Sequence, residues 1–370
     1  MGLEMRITDV QGSHKVELLL DGTAVSWLSV IDLEVKVGSV HLKMGGIGGV
    51  GTLEEHRMKG YSRRVLEHSL DYMTKNGYDI SMLYGIPDYY NKWGYASTLP
   101  DYKFTVPLRN ARRASGGLRA RPMTREDAHR VLDIYELTNK DRTGPVRRHS
   151  DTWFKFRKGT DWRILADGTV FEDGSGSIVG YYAIDRWPRV MRITEVGATE
   201  ARFYENLLKH AATVADQKEA TEIEVFVPFD HDFANLCKRM GCSVKLDYHY
   251  DANGMGRIID LRSTLRKLAP ELSRRIEQAN PKGNAGGLTF KTEMGDVAVE
   301  LTSSGVVLSE GISENQLRIS QSTLLQLILG YRTVTDVLAD QTTKTNGNVR
   351  GVLEAMFPSG HPYIWLSDWF

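Results

Sequence analysis

The sequence reads Gly45-Gly46-Ile47-Gly48-Gly49-Val50-Gly51 and, after a short interval, His56-Arg57-Met58-Lys59-Gly60-Tyr61-Ser62. The first stretch is interpreted as the glycine-rich end of a strand, and the second as a loop that opens a helix. A loop in this position offers backbone N–H groups and the positive end of a helix dipole to an anion. The two stretches together predict a phosphate-binding loop.

Charge and size in this loop favour a pyrophosphate. Arg57 and Lys59 add positive charge, and Gly60 lets the backbone approach a ligand closely. The alternative is an ordinary strand-to-helix turn with solvated cations. The sequence has neither Gly-x-x-x-x-Gly-Lys-Ser/Thr nor a suitably placed Gly-x-Gly-x-x-Gly with an acidic ribose ligand, which argues against ATP and dinucleotides.

The elements around the loop predict an α/β unit. One face of a helix is marked by Val65, Leu66, Leu70 and Met73. Strand patterns precede and follow this helix, and a short helix is expected near Tyr89. The predicted strands are Lys15–Leu20, Ala24–Leu33, Gly38–Lys43 and Tyr78–Gly85.

The same order of elements recurs after a boundary near residue 110, which indicates an internal repeat. Gly197 corresponds to Gly51, and Ala220 to Gly77, so the second copy is shorter, with 23 positions against 26. The residues missing from it are the cationic loop. The first copy in turn lacks the leading strand and helices that residues 118–160 provide in the second.

A third region follows the basic helix pattern at Arg262–Ile276, with short alternating strands and helices. The predicted domains are therefore 1–110, 111–262 and 263–370, in keeping with the length of 370 residues. The chain ends in Pro362-Tyr363-Ile364-Trp365-Leu366-Ser367-Asp368-Trp369-Phe370. Exposure of so many aromatic side chains forfeits burial energy, so we expect this segment to be docked in a groove.

Composition argues against several classes of partner. Lysine and arginine number 47, as do aspartate and glutamate, so no net field attracts nucleic acid or an anionic membrane. Cys237 and Cys242 match neither a zinc pair nor a redox motif, and no metal is expected. Without a signal peptide or a membrane-length apolar run, the sequence predicts a cytoplasmic protein.

Arg57-x-x-Gly60-x-Ser62 resembles the acetyl-CoA loop of the GNAT acetyltransferase superfamily. The tandem arrangement with a further C-terminal domain is similar to that of the enhanced-intracellular-survival (Eis-type) acetyltransferases, although Met58 stands where that family has an arginine. The resemblance implies an α/β (α+β) fold with two GNAT-like mixed-sheet domains, the second degenerate, and a sterol-carrier-protein-like C-terminal domain. It also implies acetyl-CoA as co-substrate and a homohexamer.

The resemblance also assigns roles to residues. Tyr90-Asn91-Lys92-Trp93-Gly94-Tyr95 matches the family's general-acid motif, so Tyr90 would protonate the leaving thiolate, and the C-terminal carboxylate of Phe370 would be the base. A phenol pKa of about 10 suits a departing thiol. The implied acetyl-CoA contacts are Val50, Gly51, Thr52, Arg57, Met58, Lys59, Gly60, Tyr61 and Ser62. The alternatives are that Tyr90 and Phe370 serve packing alone.

The sequence thus favours an N-acetyltransferase acting on a primary amine of a small molecule or peptide. A second interpretation is a non-catalytic protein that binds CoA, an acyl-CoA or an apolar ligand on a truncated acetyltransferase scaffold, and a third is a structural oligomer. The acceptor is not specified by the sequence. Asp88 and Asp368 are candidate acidic residues of its pocket.

Overall fold

The structure is a computed structural model and describes residues 2–156, 158–161, 163–187, 189–279 and 287–370. The chain separates into two compact units. The first contains the described residues up to Leu99, those of His249–Pro362, and Phe370. The second contains those of Pro100–Tyr248 and of Tyr363–Trp369. The fold is mixed α/β.

The first unit begins with a strand meander, then a helix and a returning strand. Its elements up to Leu99 are β1 (Leu3–Val10), β2 (Ser13–Leu20), β3 (Thr23–Val37), β4 (Val40–Thr52), a 3₁₀ turn (Glu54–His56), α1 (Tyr61–Lys75), β5 (Ile80–Gly85), a 3₁₀ helix (Tyr90–Trp93) and β6 (Ala96–Ser97). These agree with the predicted strands and helix, but the prediction that the first copy lacks its leading strand is wrong, because β1 pairs antiparallel with β2 as Arg119–Pro122 pairs with Ala166–Glu172 in the second unit. In β1 the apolar residues Leu3, Met5 and Ile7 alternate with polar ones, so a strand was readable from the sequence, although most of its side chains are exposed.

The second unit repeats the succession of strands, helix and strand. Its elements are β7 (Asp101–Pro107), α2 (Leu108–Ala111), β8 (Arg119–Pro122), α3 (Ala128–Thr138), β9 (Thr143–Val146), β10 (Ala166–Glu172), β11 (Ile178–Asp185), β12 (Met191–Ala198), a 3₁₀ turn (Ala201–Phe203), α4 (Tyr204–Gln217), β13 (Glu222–Val225), α5 (Asp232–Met240) and β14 (Ser243–Asp247). Its sheet has the order β14-β7-β13-β12-β11-β10-β8.

The chain then returns to the first unit. The elements are β15 (Asn253–Ile258), α6 (Leu261–Ala279), β16 (Leu288–Thr292), β17 (Gly295–Thr302), β18 (Gly305–Ser309), β19 (Asn315–Arg318), α7 (Gln321–Leu329), α8 (Val334–Ala339), β20 (Lys344–Asn346) and α9 (Arg350–Met356). β15 joins the first sheet, whose order is β1-β2-β3-β4-β5-β15-β6. The later strands form a separate sheet in the order β18-β17-β16-β19-β20.

Two strands pair far from their neighbours in sequence. β7 pairs with β13 and β14 in the second unit, and β15 pairs with β5 in the first. The limits of the two sheets therefore do not coincide with the sequence boundaries at 110 and 262. The three-domain division itself and the sterol-carrier-like character of residues 263–370 stay predictions.

Packing of α1 on one face of the first sheet fixes the geometry of the predicted site. The helix buries Val65, Leu66, Ser69 and Met73 at helical spacing, and Leu70 is half-buried. A Cβ on Gly45 of β4 would lie 2.2 Å from the sulfur of Met73. Gly45 is therefore needed for the close approach of helix and strand, and it marks the α1 face of β4.

The aromatic C-terminal segment is docked, as expected. Tyr363, Trp365 and Leu366 are buried, and Leu366–Asp368 forms a 3₁₀ turn. The Trp365 indole N–H donates to Asn139 Oδ1 at 3.1 Å, and the Tyr363 hydroxyl donates to the carbonyl of Phe226 at 3.0 Å. Within the described residues, no helix has both the length and the apolar character needed to cross a membrane.

Candidate functional site

The strands β4 and β5 pair in parallel and then diverge. Their register ends at Ile47 and Leu83, whereas the pairing of β4 with β3 continues to Thr52. Beyond Ile47, the backbone groups of β4 that face β5 are not paired with it, and a gap opens between the two strands. The predicted acetyl-CoA contacts Val50, Gly51 and Thr52 lie on the β4 side of this gap.

A β-bulge interrupts β4 within this gap. Ser29 pairs with Gly48, and Trp27 with Gly51, so two residues of β4 stand opposite one residue of β3. Gly49, the first of the two, has φ of 60°, which favours glycine. The bulge re-aims the backbone after Gly48 and leaves Val50 exposed.

The cationic loop has the predicted strand-to-helix form. It runs from the 3₁₀ turn Glu54–His56 to Gly60, whose φ of 76° lets the chain enter α1. A Cβ on Gly60 would meet no protein atom within 4 Å. Within the protein, the glycine is thus required by the left-handed backbone and not by crowding. Met58 also has a positive φ, of 61°, and its side chain is fully exposed.

Positive charge gathers at the start of α1, next to the exposed carboxylates Glu54 and Glu55 of the preceding turn. Arg57 and Lys59 are exposed, as are Arg63 and Arg64 in the first turn of the helix. Within the described part of the chain, none of the four forms an ion pair. Exposed cations with no carboxylate partner, set at the positive end of a helix dipole, suit the phosphates of CoA.

A cleft of about 510 Å³ adjoins the loop. Its lining residues are Thr52, His56, Arg57, Met58, Gly60, Tyr61, Ser62, Arg63, Tyr89, Lys92 and Trp93. His56 Nδ1 is buried there without a hydrogen-bond partner among the described residues, and its ring stacks on Tyr61 at 6.0 Å between centroids. A buried polar atom lacking a partner beside free cations fits an anionic ligand such as CoA.

The cleft includes most of the predicted contacts but differs at its edges. Val50, Gly51, Lys59 and Tyr90 do not line it. Tyr89 does, and its hydroxyl is 2.8 Å from Ser62 Oγ. Sequence reasoning missed Arg63, Tyr89, Lys92 and Trp93. Their proximity to the loop and the Tyr90 motif was the available signal, because both segments end at one edge of the sheet.

Tyr90 opens the 3₁₀ helix that follows β5 and is 8% exposed. Its ring packs over Gly85, where a Cβ would lie 2.7 Å from Tyr90 Cδ2. An edge-to-face contact with Tyr89 at 4.9 Å completes the setting. Burial, with a smaller effect of Tyr89, raises the pKa of Tyr90 to about 12. The reference value of about 10 assumed from sequence is thus too low for this buried phenol.

Phe370 lies against the glycines of β4. A Cβ on Gly46 would be 2.9 Å from its ring, and a Cβ on Gly48 would be 3.1 Å from its carboxyl carbon. The ring also meets that of Tyr84 with centroids 5.6 Å apart. Small residues at Gly46 and Gly48 therefore create the space that Phe370 fills.

Tyr90 and Phe370 lie on opposite faces of the sheet. Side chains alternate along a strand, so Gly46, Gly48 and Tyr84 share one face. Gly45 and Gly85 point to the other face, which carries α1 and Tyr90. The gap between β4 and β5 thus has the phenol and the cationic loop on one side and the carboxyl group of Phe370 on the other.

The two candidate acidic residues of the acceptor pocket differ in availability. Asp88 is exposed and has φ of 57°. Asp368 instead accepts two hydrogen bonds from Arg148, each 2.9 Å long, and is nearly buried. Asp368 is therefore neutralised within the second unit and does not offer a free carboxylate to an amine. No group of three or more His, Cys, Asp or Glu suited to a metal occurs among the described residues.

The chain is similar to known proteins in part of its sequence and in its fold. Residues 9–98 match the model of the acetyltransferase (GNAT) domain, and no curated protein sequence matches the chain. GCN5-related N-acetyltransferases from Kribbella flavida and Anabaena variabilis ATCC 29413 align with TM-scores of 0.72 and 0.76 at 16% and 15% identity. Each alignment covers 96% of this chain, and 88% and 89% of theirs.

Eis1 from Mycobacterium abscessus aligns with a TM-score of 0.63 at 13% identity, over 96% of this chain and 90% of its own. At these identities the likeness is one of fold. The chain therefore shares its fold, along nearly its whole length, with proteins of the GNAT type.

Proposed function

We propose that the protein is an acetyl-CoA-dependent N-acetyltransferase that acts on a primary amine of a small molecule or peptide. The observation that carries this proposal is the gap between β4 and β5. A cationic loop and a buried phenol adjoin it on one face, and a carboxyl group adjoins it on the other. An acetyl donor and an amine can approach such a gap from opposite sides.

In this proposal CoA is held by charge and by the start of α1. Arg57, Lys59 and Arg63 neutralise its phosphates, and the backbone from Gly60 to Ser62 donates N–H groups. The bulged strand from Val50 to Thr52 supplies N–H groups to the thioester oxygen, where negative charge develops. Acetyl-CoA contributes an activated acetyl group.

The groups that transfer protons lie on the two opposite faces of the first sheet. The Phe370 carboxylate takes a proton from the attacking amine, directly or through water, while the amine nitrogen bonds to the acetyl carbon. As the carbon–sulfur bond breaks, the Tyr90 hydroxyl donates its proton to the sulfur. The products are the acetamide and CoA; the Phe370 carboxyl group releases its proton to solvent, and solvent restores the proton of Tyr90.

The wider arrangement belongs to the same proposal. Two GNAT-like domains, a sterol-carrier-like domain at 263–370 and a homohexamer follow from the Eis-type resemblance. The similarity in fold to Eis1 over 96% of this chain supports the order of domains, and the match of residues 9–98 supports the first GNAT-like domain. The second candidate, a non-catalytic CoA-binding or apolar-ligand protein, predicts binding without turnover.

The proposal is tested by measuring thiol release from acetyl-CoA with a panel of polyamines, aminoglycosides and lysine peptides. We expect thiol release to depend on at least one amine and an acetylated amine to appear in mass spectra. Tight CoA binding without turnover for any amine would favour the binding protein instead.

A further inference from the structure

The second unit contains a buried ionic network centred on Arg148. Its guanidinium donates to both oxygens of Glu195, at 2.7 and 2.6 Å, and to both oxygens of Asp368, at 2.9 Å each. The side chains of Arg148, Glu195 and Asp368 are 2%, 0% and 8% exposed. One buried cation thus forms ion pairs with two carboxylates that are almost fully shielded from solvent.

Aromatic side chains complete the network. Tyr181 donates to Glu195 at 2.9 Å, and the ring of Tyr135 lies 4.0 Å below the guanidinium. Burial of charge costs free energy unless every partner is in place, so such a network fixes one geometry more strongly than it adds stability. The burial of Asp368 also raises its pKa.

The network binds the C-terminal segment at the place where the second sheet opens. Parallel pairing of β12 with β13 ends at Ile193 and Val225. Glu195 follows on β12, and Phe226, which follows β13, accepts a hydrogen bond from Tyr363. The opening of the second sheet is therefore occupied by the segment Tyr363–Trp369 of the same chain.

The segment is also held just before its last residue. Lys158 donates to the carbonyl oxygen of Trp369, and the Trp369 indole N–H donates to the carbonyl of Ile364 at 3.2 Å. Asp368 and Trp369 are thus both fixed, and the next residue is Phe370. A peptide unit spans only about 3.8 Å, so little slack remains between the fixed residues and the carboxylate.

We propose that Arg148 and Glu195 are positioning residues for the Phe370 carboxylate, acting through Asp368. The second unit thereby serves as a clamp for the C-terminal segment and uses its sheet opening for this purpose. The inference rests on the proposed function, because it assigns the clamp a role in the placement of the base. Misplacement of a reacting group by about 1 Å is enough to slow a reaction about 100-fold.

The test measures kcat and the KM for acetyl-CoA in Asp368→Ala, which removes both hydrogen bonds to Arg148. We expect kcat per folded molecule to fall about 10- to 100-fold with the KM for acetyl-CoA within about twofold of the wild type. Asp368→Asn keeps one acceptor for Arg148, and we expect an intermediate kcat. This milder variant keeps the test valid if the alanine variant does not fold.

A matched control exists in the same unit. Asp127 accepts from Arg121 at 2.6 and 2.8 Å, its side chain is also 8% exposed, and Arg121 likewise binds a second carboxylate, Glu172. Asp127→Ala is expected to lower the thermal midpoint while kcat stays within about twofold. Equal losses of kcat in Asp127→Ala and Asp368→Ala would overturn the inference.

A double variant separates positioning from stability. In a chain lengthened by one glycine after Phe370, the carboxylate is already displaced, so Asp368→Ala should lower kcat no further. If the losses of kcat from Asp368→Ala and from the added glycine multiply in the double variant, or if Asp368→Ala alone leaves kcat unchanged, the clamp inference is wrong while the proposed function stands. A wild-type chain without turnover would overturn the proposed function and the clamp together.

Discussion

Tyr90 is a buried phenol, and its burial opposes the transfer of its proton. With its pKa raised to about 12, the phenol is a weaker acid than the reference phenol at about 10. Transfer to a thiolate with a pKa of about 8.5 is uphill by about 5 kcal/mol. Tyr90 therefore donates a hydrogen bond to the sulfur as negative charge develops there, and the unfavourable proton transfer is completed as solvent reprotonates Tyr90.

Replacement of Tyr90 tests this role. We expect Tyr90→Phe to lower kcat about 100-fold, the scale of general-acid catalysis, while the Kd for acetyl-CoA stays within about twofold. Steady-state kinetics and calorimetric titration measure the two quantities. In the control Tyr89→Phe, which loses the bond to Ser62, kcat should change far less. Equal kcat in wild type and Tyr90→Phe would remove the acid assignment.

The raised pKa of Tyr90 also has a consequence for pH dependence. An acid with a raised pKa remains protonated until the pH approaches that value, so the contribution of Tyr90 is lost only as the pH rises through about 12. Between about pH 8 and 10, kcat should therefore show no decline caused by Tyr90. A decline centred near pH 10 that disappears in Tyr90→Phe would contradict the burial of the phenol.

At the scale of elements, the glycines of β4 have several different structural roles. Gly45 admits Met73 of α1, Gly49 permits the bulge, and Gly46 and Gly48 leave room for Phe370. The sequence predicted the strand, the loop and the helix from composition and periodicity. It could not separate the roles of the glycines, because each depends on a contact distant in sequence.

The cations of the loop, Arg57 and Lys59, are proposed to bind the phosphates of CoA. We expect Arg57→Ala combined with Lys59→Ala to weaken CoA binding about tenfold at low salt, and less at high salt, since exposed charges are screened. Titrations at two ionic strengths measure this. The control pair Arg109→Ala and Arg113→Ala removes two exposed cations of the second unit. An equal loss in the control would show that net charge, and not the loop, is responsible.

Helix α6 is held to the turn between β3 and β4 by a buried carboxylate. Glu271 accepts from the Ser39 N–H at 3.1 Å and Ser39 Oγ at 2.7 Å, and from Arg275 Nε at 2.6 Å. Although burial alone would raise it, these donors and Arg274 lower the pKa of Glu271 to about 2. A lowered pKa means that the carboxylate stabilises the fold above its unfolded pKa of about 4.3.

Glu271→Gln should therefore lower the free energy of unfolding at neutral pH by about 3 kcal/mol. The difference from wild type should shrink as the pH falls from about 4.3 toward 2, where the wild-type carboxylate becomes protonated. Urea unfolding at several pH values gives this curve. The exposed Glu277 of the same helix provides the control, Glu277→Gln. A pH-independent difference would contradict the lowered pKa.

At the scale of the whole molecule, local patterns were far more visible in the sequence than distant pairings. The repeat of strands, helix and strand was predicted from periodicity and occurs in the sheet that contains β4 and in the sheet that contains β12. The pairing of β7 with β13 and of β15 with β5 was not, because strands paired across more than a hundred residues leave no local trace. Asp368 was misjudged for the same reason, since Arg148 lies 220 residues away.

The two units have different tasks in the proposed mechanism. The first contains the gap, the cationic loop and the carboxyl group of Phe370, and the second holds the segment that precedes Phe370. The loss of the loop from the second copy is consistent with this division. In this mechanism the Phe370 carboxylate acts at the gap between β4 and β5.

Addition of one glycine after Phe370 tests that claim most directly, because it moves the carboxylate by about 3.8 Å and leaves every side chain unchanged. Phe370→Leu, which keeps the carboxylate in place, is the control and should retain most of the activity. Steady-state kinetics with the preferred amine and titration with acetyl-CoA give kcat and Kd. We expect kcat to fall about 100-fold or more with Kd unchanged, and a wild-type kcat in the lengthened chain would show that the Phe370 carboxylate is not the base.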